Sequence, residues 1–351
     1  EGVLDAIVRD APDFWRYRAS HHMLQGIEPM VQKTLESHLG PHWKGEEDLL
    51  RQIEINEYLQ EKAKSDDQKA FLFYERARLY TASGKYEKAI EYFHKSLELC
   101  EELKDFGSIA RIYHGLGVIY QQRGEYERAV DCFRKSLEIS ETLHDTQGVA
   151  AVYHQLGAIH QLRGEYEKAE EYFNKSLEIS ETLHDVQGIA ITYHQLGVVH
   201  QLRGEYEKAE EYFNKSLEIK ETLHDIQGIA VTYHNLGLIH QQRGEYEKAE
   251  EYFNKSLEIS ETLHDPQGIA RTYYDLGTIY QSRGEYEKAE EYLNKSLEIF
   301  ETLHDMQGTA IAYGQLGRLH IERKEYEEAL KILLTTCLLY TSPSPRDRTR
   351  S

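Results

Sequence analysis

The stretch GEYEKAEEYFNKSLEI stands at Gly164 and returns at Gly204 and Gly244, so the chain repeats itself every 40 residues. A period of this length is typical of chains whose units are too small to bury their own apolar faces and pack on their neighbours instead. The unit therefore constrains the fold more than the total length of 351 residues does.

The copy from Asp185 to His224 predicts two helices. Apolar and aromatic residues at helical spacing form one face before Gly204 and another after it: Tyr193, Leu196, Gly197 and His200, then Tyr206, Ala209, Phe213, Ser216 and Leu217. We interpret the unit as an antiparallel helix pair.

Two corners connect the predicted helices. The first needs a left-handed residue, which glycine adopts at little cost, and glycine recurs there as Gly84, Gly124, Gly164, Gly204, Gly244 and Gly284. At the second corner an aspartate is predicted to cap the next first helix, at Asp105, Asp145, Asp185, Asp225, Asp265 and Asp305. In one copy Pro266 follows the cap, which predicts a helix start near residue 266.

The order of these residues resembles the tetratricopeptide repeat, which has an aromatic, Leu-Gly and an aromatic in its first helix, then Ala and Phe in its second. The resemblance implies an all-α, right-handed superhelical solenoid of antiparallel helix pairs. The family's usual unit has about 34 residues and closes with a proline. Here the unit has 40 residues and carries Glu221 at that place, so we expect a longer second helix.

Alignment of the copies predicts the domain organisation. Six units are expected at 68–107, 108–147, 148–187, 188–227, 228–267 and 268–307, and a truncated seventh at 308–336. In the first unit Arg76 and Ala77 replace Leu-Gly. Residues 1–67 do not repeat; helical patterning at 27–39 and 46–63 is consistent with the end of an upstream domain.

From Cys337 the sequence has no relation to the repeat. Residues 337–351 resemble the translation of a sequencing adapter, and we expect them to be a non-native tail of a fragment whose ends are missing. The alternative is a disordered Ser/Pro/Arg tail.

Composition bounds the function. A net charge of −20 argues against nucleic acid as a partner. We interpret the acidic second helices as a solvated convex face, with an acidic docking surface as the alternative. Cys100 and Cys132 lack paired spacing, and no apolar run reaches about 18 residues, so we expect a cytoplasmic protein with no membrane partner.

Histidines recur in two columns. His160, His200 and His240 share a position with Tyr120 and Tyr280, which predicts a ring packed against the second helix. The other column, six residues earlier, does not converge with the first on one helix face, so no metal site is predicted. The sequence has no phosphate-binding loop or nucleophile elbow, so we expect no enzyme activity and no cofactor.

The second histidine column is predicted to face the concave side that the resemblance implies. With two neighbouring columns it forms a polar ladder: His154, His194 and His234; Gln155, Gln195 and Asn235; Gln161, Gln201 and Gln241. Amide side chains both donate and accept hydrogen bonds, so the ladder is expected to bind the backbone of an extended peptide. An empty hydrated groove is the alternative. If the three histidines line a peptide site, their charge should switch between about pH 5 and 8.

The predicted function is a scaffold that binds a peptide or partner segment in its concave groove. The alternative is the sensor or regulatory arm of a larger signalling ATPase, because long units of this kind resemble those appended to such enzymes. A rigid spacer that binds nothing is a third hypothesis.

Overall fold

The computed structural model describes residues 63–341 and, before them, Leu49, Gln52, Ile53, Asn56, Glu57 and residues 59–61. The helix predicted at 27–39, half of the one predicted at 46–63, and residues 342–351 of the predicted tail lie outside the described residues. The chain divides into two compact units, residues 1–163 and 164–351, which are described separately.

In the described residues the structure is entirely helical between short corners. The helices are α1 (Asp66–Ala82), α2 (Tyr86–Leu103), α3 (Phe106–Gln122), α4 (Tyr126–Thr142), α5 (Thr146–Leu162), α6 (Tyr166–Thr182), α7 (Val186–Leu202), α8 (Tyr206–Thr222), α9 (Ile226–Gln242), α10 (Tyr246–Thr262), α11 (Pro266–Ser282), α12 (Tyr286–Thr302), α13 (Met306–Glu322) and α14 (Tyr326–Thr341). Odd-numbered helices are the first helices of the repeat and even-numbered helices the second. The last helix continues past the predicted junction at residue 336 to Thr341.

The first corner is built as predicted. Gly204 has a φ of +75°, and the other five corner glycines have φ between 68° and 76°. A Cβ at Gly204 would meet nothing within 4 Å, so the backbone conformation alone selects glycine there. At the last corner Lys324 takes the same conformation with a φ of 65°.

The second corner also turns through a left-handed residue, which the sequence analysis missed. His224 has a φ of 54°, and His144, His184, His264 and His304 have φ between 51° and 54°. The Asp225 carboxylate then accepts a hydrogen bond from the Gly228 N–H at 2.9 Å, which confirms the predicted cap.

One cap differs from the others. The helix α11 does begin at Pro266, but the Asp265 side chain accepts no hydrogen bond from the first turn. Its φ and ψ of −92° and 91° are more extended than the −77° and 77° of Asp225, because a following proline excludes the more compact conformations.

In the pairs α3–α4, α7–α8 and α9–α10, a glycine of the first helix packs closely against a phenylalanine ring of the second, whereas in α11–α12 and α13–α14 a leucine takes the place of the ring. In the pair α7–α8, a Cβ at Gly197 would lie 2.8 Å from the ring of Phe213, which is fully buried. Across the same pair, the buried Ser216 hydroxyl donates to the Ala190 carbonyl at 2.8 Å. These contacts fix how α7 and α8 pack together.

The first pair departs from this pattern because it contacts the preceding segment. Arg76, which replaces the leucine of Leu-Gly, is buried. Its Nε donates to Asn56 Oδ1 at 2.9 Å, and Asn56 Nδ2 donates to the Leu72 carbonyl at 3.1 Å. The polar replacement thus has a partner from outside the repeat.

Candidate partner-binding face

The nine predicted site residues lie on one face of the first helices, which we call the ladder face. The first compact unit carries His154, Gln155 and Gln161, and the second carries His194, Gln195, Gln201, His234, Asn235 and Gln241. All nine are half-buried. In the second unit α7, α9, α11 and α13 contact one another in succession, so the ladder face is continuous along these helices.

Side chains of the ladder face bond to one another between successive first helices. Asn235 Nδ2 lies 3.2 Å from His194 Nε2, which joins two of the predicted residues. Gln201 Nε2 donates to Gln242 Oε1 at 3.3 Å, and Gln241 Nε2 donates to the Thr278 hydroxyl at 2.7 Å. Part of the hydrogen-bonding capacity expected for a partner is therefore used within the stack.

The ladder histidines do not titrate where the sequence analysis expected. Burial is the main cause that lowers the pKa of His194 to about 3 and of His234 to about 4; the charges of Lys220 and Arg271 lower them further. Burial also lowers the pKa of His154. The first two imidazoles also pack on Phe213 and Phe253, with ring centroids 5.1 and 5.3 Å apart. For His194 and His234 the predicted charge switch between about pH 5 and 8 is wrong, because burial favours the neutral form of both rings.

The other histidine column lies in the packing. His200 and His240 are buried, as predicted, and His160 is half-buried. The His200 ring stacks on Tyr212 with centroids 5.2 Å apart, and its Nδ1 lies 3.0 Å from Glu205 Oε2. This column supports the joint between helices and is not part of the ladder face.

Exposed apolar side chains border the ladder, which the sequence analysis did not foresee. Ile191, Val231 and Ile311 are between 42% and 48% exposed, and Leu202 is 51% exposed. Ile191 stands three residues before His194 on the same helix. Because residues three apart are neighbours on a helix surface, this spacing could have predicted the apolar border from the sequence. The face is therefore mixed, with polar and apolar contacts to offer.

A buried lysine lies behind the ladder. Lys220 occupies the position of Ser140, Ser180 and Ser260, and its ammonium donates to the Thr232 hydroxyl at 3.0 Å. The same Nζ lies 3.5 Å from His194 Nδ1. Burial lowers the pKa of this lysine.

The most distinctive site residue is Asp275, which the sequence analysis did not name. It stands in the column of Gln155, Gln195, Asn235 and Gln315, where it replaces an amide by a carboxylate. Its side chain is 14% exposed, and its Oδ2 lies 3.2 Å from His234 Nε2. Burial raises the pKa of Asp275 to about 7, against a smaller lowering by Arg271. Comparing the units column by column would have revealed this break.

A cavity of about 830 Å³ opens beside Asp275 in the second compact unit. His234, Arg271 and Asp275 contribute polar atoms to its lining, and Phe300 and Ile311 contribute apolar ones. Its size falls within the range of sites that bind small molecules or large side chains.

The second helices carry charge that is largely paired. Arg203 contacts Glu170 and, at 2.8 Å, Glu205, and the same arrangement recurs at Arg243 with Glu210 and Glu245. Lys215 pairs with Glu211 on the next turn at 2.6 Å. These pairs support the interpretation of an ordinary solvated face.

Within the described ranges, no cluster of three His, Cys, Asp or Glu side chains is arranged to hold a metal ion. No helix in that same part of the chain combines the length and apolar character needed to cross a membrane.

The geometry defines an all-α repeat protein built from helix pairs. The model of the tetratricopeptide repeat family matches residues 68–142, 148–222 and 228–302. The chain therefore belongs to the tetratricopeptide repeat family, and the fold class predicted from the spacing of its residues is confirmed. No curated protein matches the chain.

Solved structures share the fold at low sequence identity. The apo form of the quorum sensor NprR from B. thuringiensis is 17% identical, with a TM-score of 0.72 over 96% of this chain and all of that chain (100%). A Signal Transduction ATPase with Numerous Domains with a tetratricopeptide repeat sensor, from Pyrococcus horikoshii, is 18% identical, with a TM-score of 0.67 over 93% of this chain and 50% of that one. A Rap protein complexed with competence and sporulation factor is 17% identical, with a TM-score of 0.56 over 87% of this chain and 93% of that one. At these identities the likeness extends to the fold alone.

Proposed function

We propose that this chain is a protein-interaction module that binds an extended segment of a partner protein along the ladder face. The observation that carries the proposal is the pairing of a half-buried amide ladder with exposed Ile191, Val231 and Leu202 on one face. An extended segment presents backbone N–H and C=O groups to such amides and alternate side chains to such apolar residues. The solved Rap complex supports the proposal as an example of the fold with a bound factor.

Selection of random peptides on the full chain tests this function. Peptides should be enriched above an unrelated control protein, and Gln201→Glu with Gln241→Glu should weaken their binding at least tenfold. The matched control is Asn214→Asp with Asn254→Asp, which introduces the same charge at exposed positions of α8 and α10. Absence of enrichment, or an equal loss in the control, would refute the proposal.

A second candidate is the sensor arm of a larger signalling ATPase. Its support is the likeness to the Pyrococcus protein, of which this chain covers 50%. Reading the uncut gene decides this point, because a GxxxxGK[ST] phosphate-binding loop in the same frame would favour the ATPase. Binding by the ladder face is common to both candidates.

A further inference from the structure

The cavity beside Asp275 differs in composition from the rest of the ladder face. It lies among α9, α11, the end of α12 and α13, and Phe300 and Leu238 supply apolar walls. Asp265 and Asp305, at the corners before α11 and α13, also line it. Three acidic residues thus surround the cavity against one cationic side chain, Arg271.

Arg271 is the cationic group that acts on Asp275 in the part of the chain that the structure describes, and it offsets the effect of burial only in part. His234 Nε2 lies 3.2 Å from Asp275 Oδ2, and the low pKa of this imidazole leaves the ring neutral at physiological pH. No Lys or Arg among the described residues forms an ion pair with Asp275, and Arg271 itself is exposed. The ionised carboxylate would therefore be a buried charge that is only partly compensated, which is costly.

The charged and titratable groups around the cavity are few. They are His234 from α9, Arg271 and Tyr274 from α11, Asp265 and Asp305 at the corners and, acting on Tyr274, Arg318 from α13. An anionic ligand is disfavoured, because three of the residues that line the cavity are acidic and one is cationic. A cationic ligand would place a positive charge beside the Asp275 carboxylate, and Phe300 and Leu238 would contact the apolar stem of the ligand.

We propose that this cavity binds a basic side chain, lysine or arginine, of the partner segment, with Asp275 as its counter-ion. The inference rests on the proposed function, because the cavity opens on the same face as the ladder. The basic residue anchors the partner at α11 and thereby sets its register along the ladder face. Four other units carry an amide in this column and one carries Gly115, so none of these five can form the same ion pair. The first unit carries Glu75, which already pairs with Arg78 at 3.3 Å.

Binding should depend on pH in a defined direction. Only ionised Asp275 attracts the cation, and its pKa of about 7 leaves roughly a tenth of it ionised at pH 6 and most of it at pH 8. A lysine or arginine probe should therefore bind about tenfold more tightly at pH 8 than at pH 6. In return, the bound cation should lower the pKa of Asp275.

The test uses the full chain and small probes. Nα-acetyl-lysine amide and Nα-acetyl-arginine amide are compared with the uncharged Nα-acetyl-norleucine amide by calorimetry, and the Asp275 carboxyl is followed by carbon-13 NMR. Asp275→Gln should weaken binding of the charged probes at least tenfold at pH 8 and abolish its pH dependence. Gln occupies this column in other units, so the variant keeps a residue that the fold accepts. Glu211→Gln, which makes the same change of carboxylate to amide at an exposed position of α8 outside the ladder face, should leave binding unchanged.

The outcomes separate this inference from the proposed function. Equal affinity for the norleucine probe, no detectable binding of either charged probe, or an unchanged pKa of Asp275 with probe present would overturn the cavity proposal. If the charged probes fail while selected peptides still require Gln201 and Gln241, the ladder function stands without the anchor. If the charged probes bind but no peptide is selected, the ladder function fails instead.

Discussion

At the scale of single residues, Asp275 and His234 deviate from their ordinary pKa values in opposite directions because burial penalises both charges. Asp275 holds its proton up to about pH 7, and His234 stays neutral down to about pH 4. The folded chain binds the Asp275 proton more tightly than the unfolded chain does, where the pKa is near 3.8. The stability from this carboxyl is therefore full below about pH 4 and is lost as the pH rises through about 7.

Asp275→Gln tests this at the residue scale. Glutamine does not titrate, so the variant should gain stability relative to the natural chain as the pH rises. The difference in free energy of unfolding, variant minus natural chain, should be about 1–3 kcal/mol larger at pH 8 than at pH 5. The measurement is the free energy of unfolding in urea at both pH values. Other titrating groups cancel in the comparison, and Gln195→Asn serves as the control. An identical difference at pH 5 and pH 8 would show that burial does not raise the pKa of Asp275.

At the scale of elements, the two corners of a repeat have different residues in the same left-handed conformation. Gly204 takes the left-handed conformation at little cost, whereas His224 takes it with a side chain present, which is unfavourable for most residues. The repeat therefore stores a small strain at each second corner and none at those first corners that carry glycine.

Exchanging the residue types at the corners should have effects of opposite sign. Gly204→Ala should cost about 1–2 kcal/mol, because alanine is strained at a φ of +75° even with open space around it. His224→Gly should stabilise the chain by about 0.5 kcal/mol, since the relief of strain exceeds the added freedom of the unfolded chain only slightly. Hydrogen exchange of the amides in α7–α9 reports both changes locally. A loss of protection in both variants would contradict the assignment.

Substitutions at core and surface positions of α8 should have different effects on the free energy of unfolding. Phe213→Ala removes a fully buried ring that packs on Gly197 and should cost about 3–5 kcal/mol. Glu211 is 63% exposed and pairs with Lys215, so Glu211→Ala should change the stability by less than about 0.5 kcal/mol. Urea denaturation of both variants measures the two losses of stability. Equal losses would mean that the buried and exposed faces of α8 have been assigned the wrong way round.

The sequence was most informative where one constraint acts alone. Gly204 is dictated by its backbone angle and Phe213 by its burial, so repetition of either residue type revealed its role. The role of His224 was hidden because histidine, although enriched among non-glycine residues at positive φ, occurs mostly at other backbone angles. The pKa values of the ladder histidines depend on how far Phe213 and Phe253 cover them, which spacing does not reveal. Asp275 was visible as a change of residue type, but its significance depends on the cavity beside it.

At the scale of the whole molecule, stability in a repeat chain comes from each unit and from its contacts with adjacent units. Within residues 164–351, α9–α12 have neighbouring helices on both sides, whereas α14 contacts its partner α13 at the end of the described chain. We expect amide exchange to be slowest in α9–α12 and to accelerate through α14. Uniform protection of the amides along residues 164–351 would contradict the expectation that each repeat contributes separately to stability.

The Arg–Glu pairs that join successive units have one further consequence. Arg203 with Glu170 and Arg243 with Glu210 have the same separation of 33 residues, so each joint is interchangeable with the next. Excising residues 188–227, a segment of one full period, would place Arg243 opposite Glu170 with that separation restored. We expect the shortened chain to fold and to keep the Asp275 cavity, whereas excision of half a period should unfold it. Circular dichroism of the two deletions would distinguish them. A gene of this kind can thus gain or lose repeats by in-frame recombination. Such a change would alter the length of the ladder face and leave the proposed basic-residue cavity at Asp275 intact.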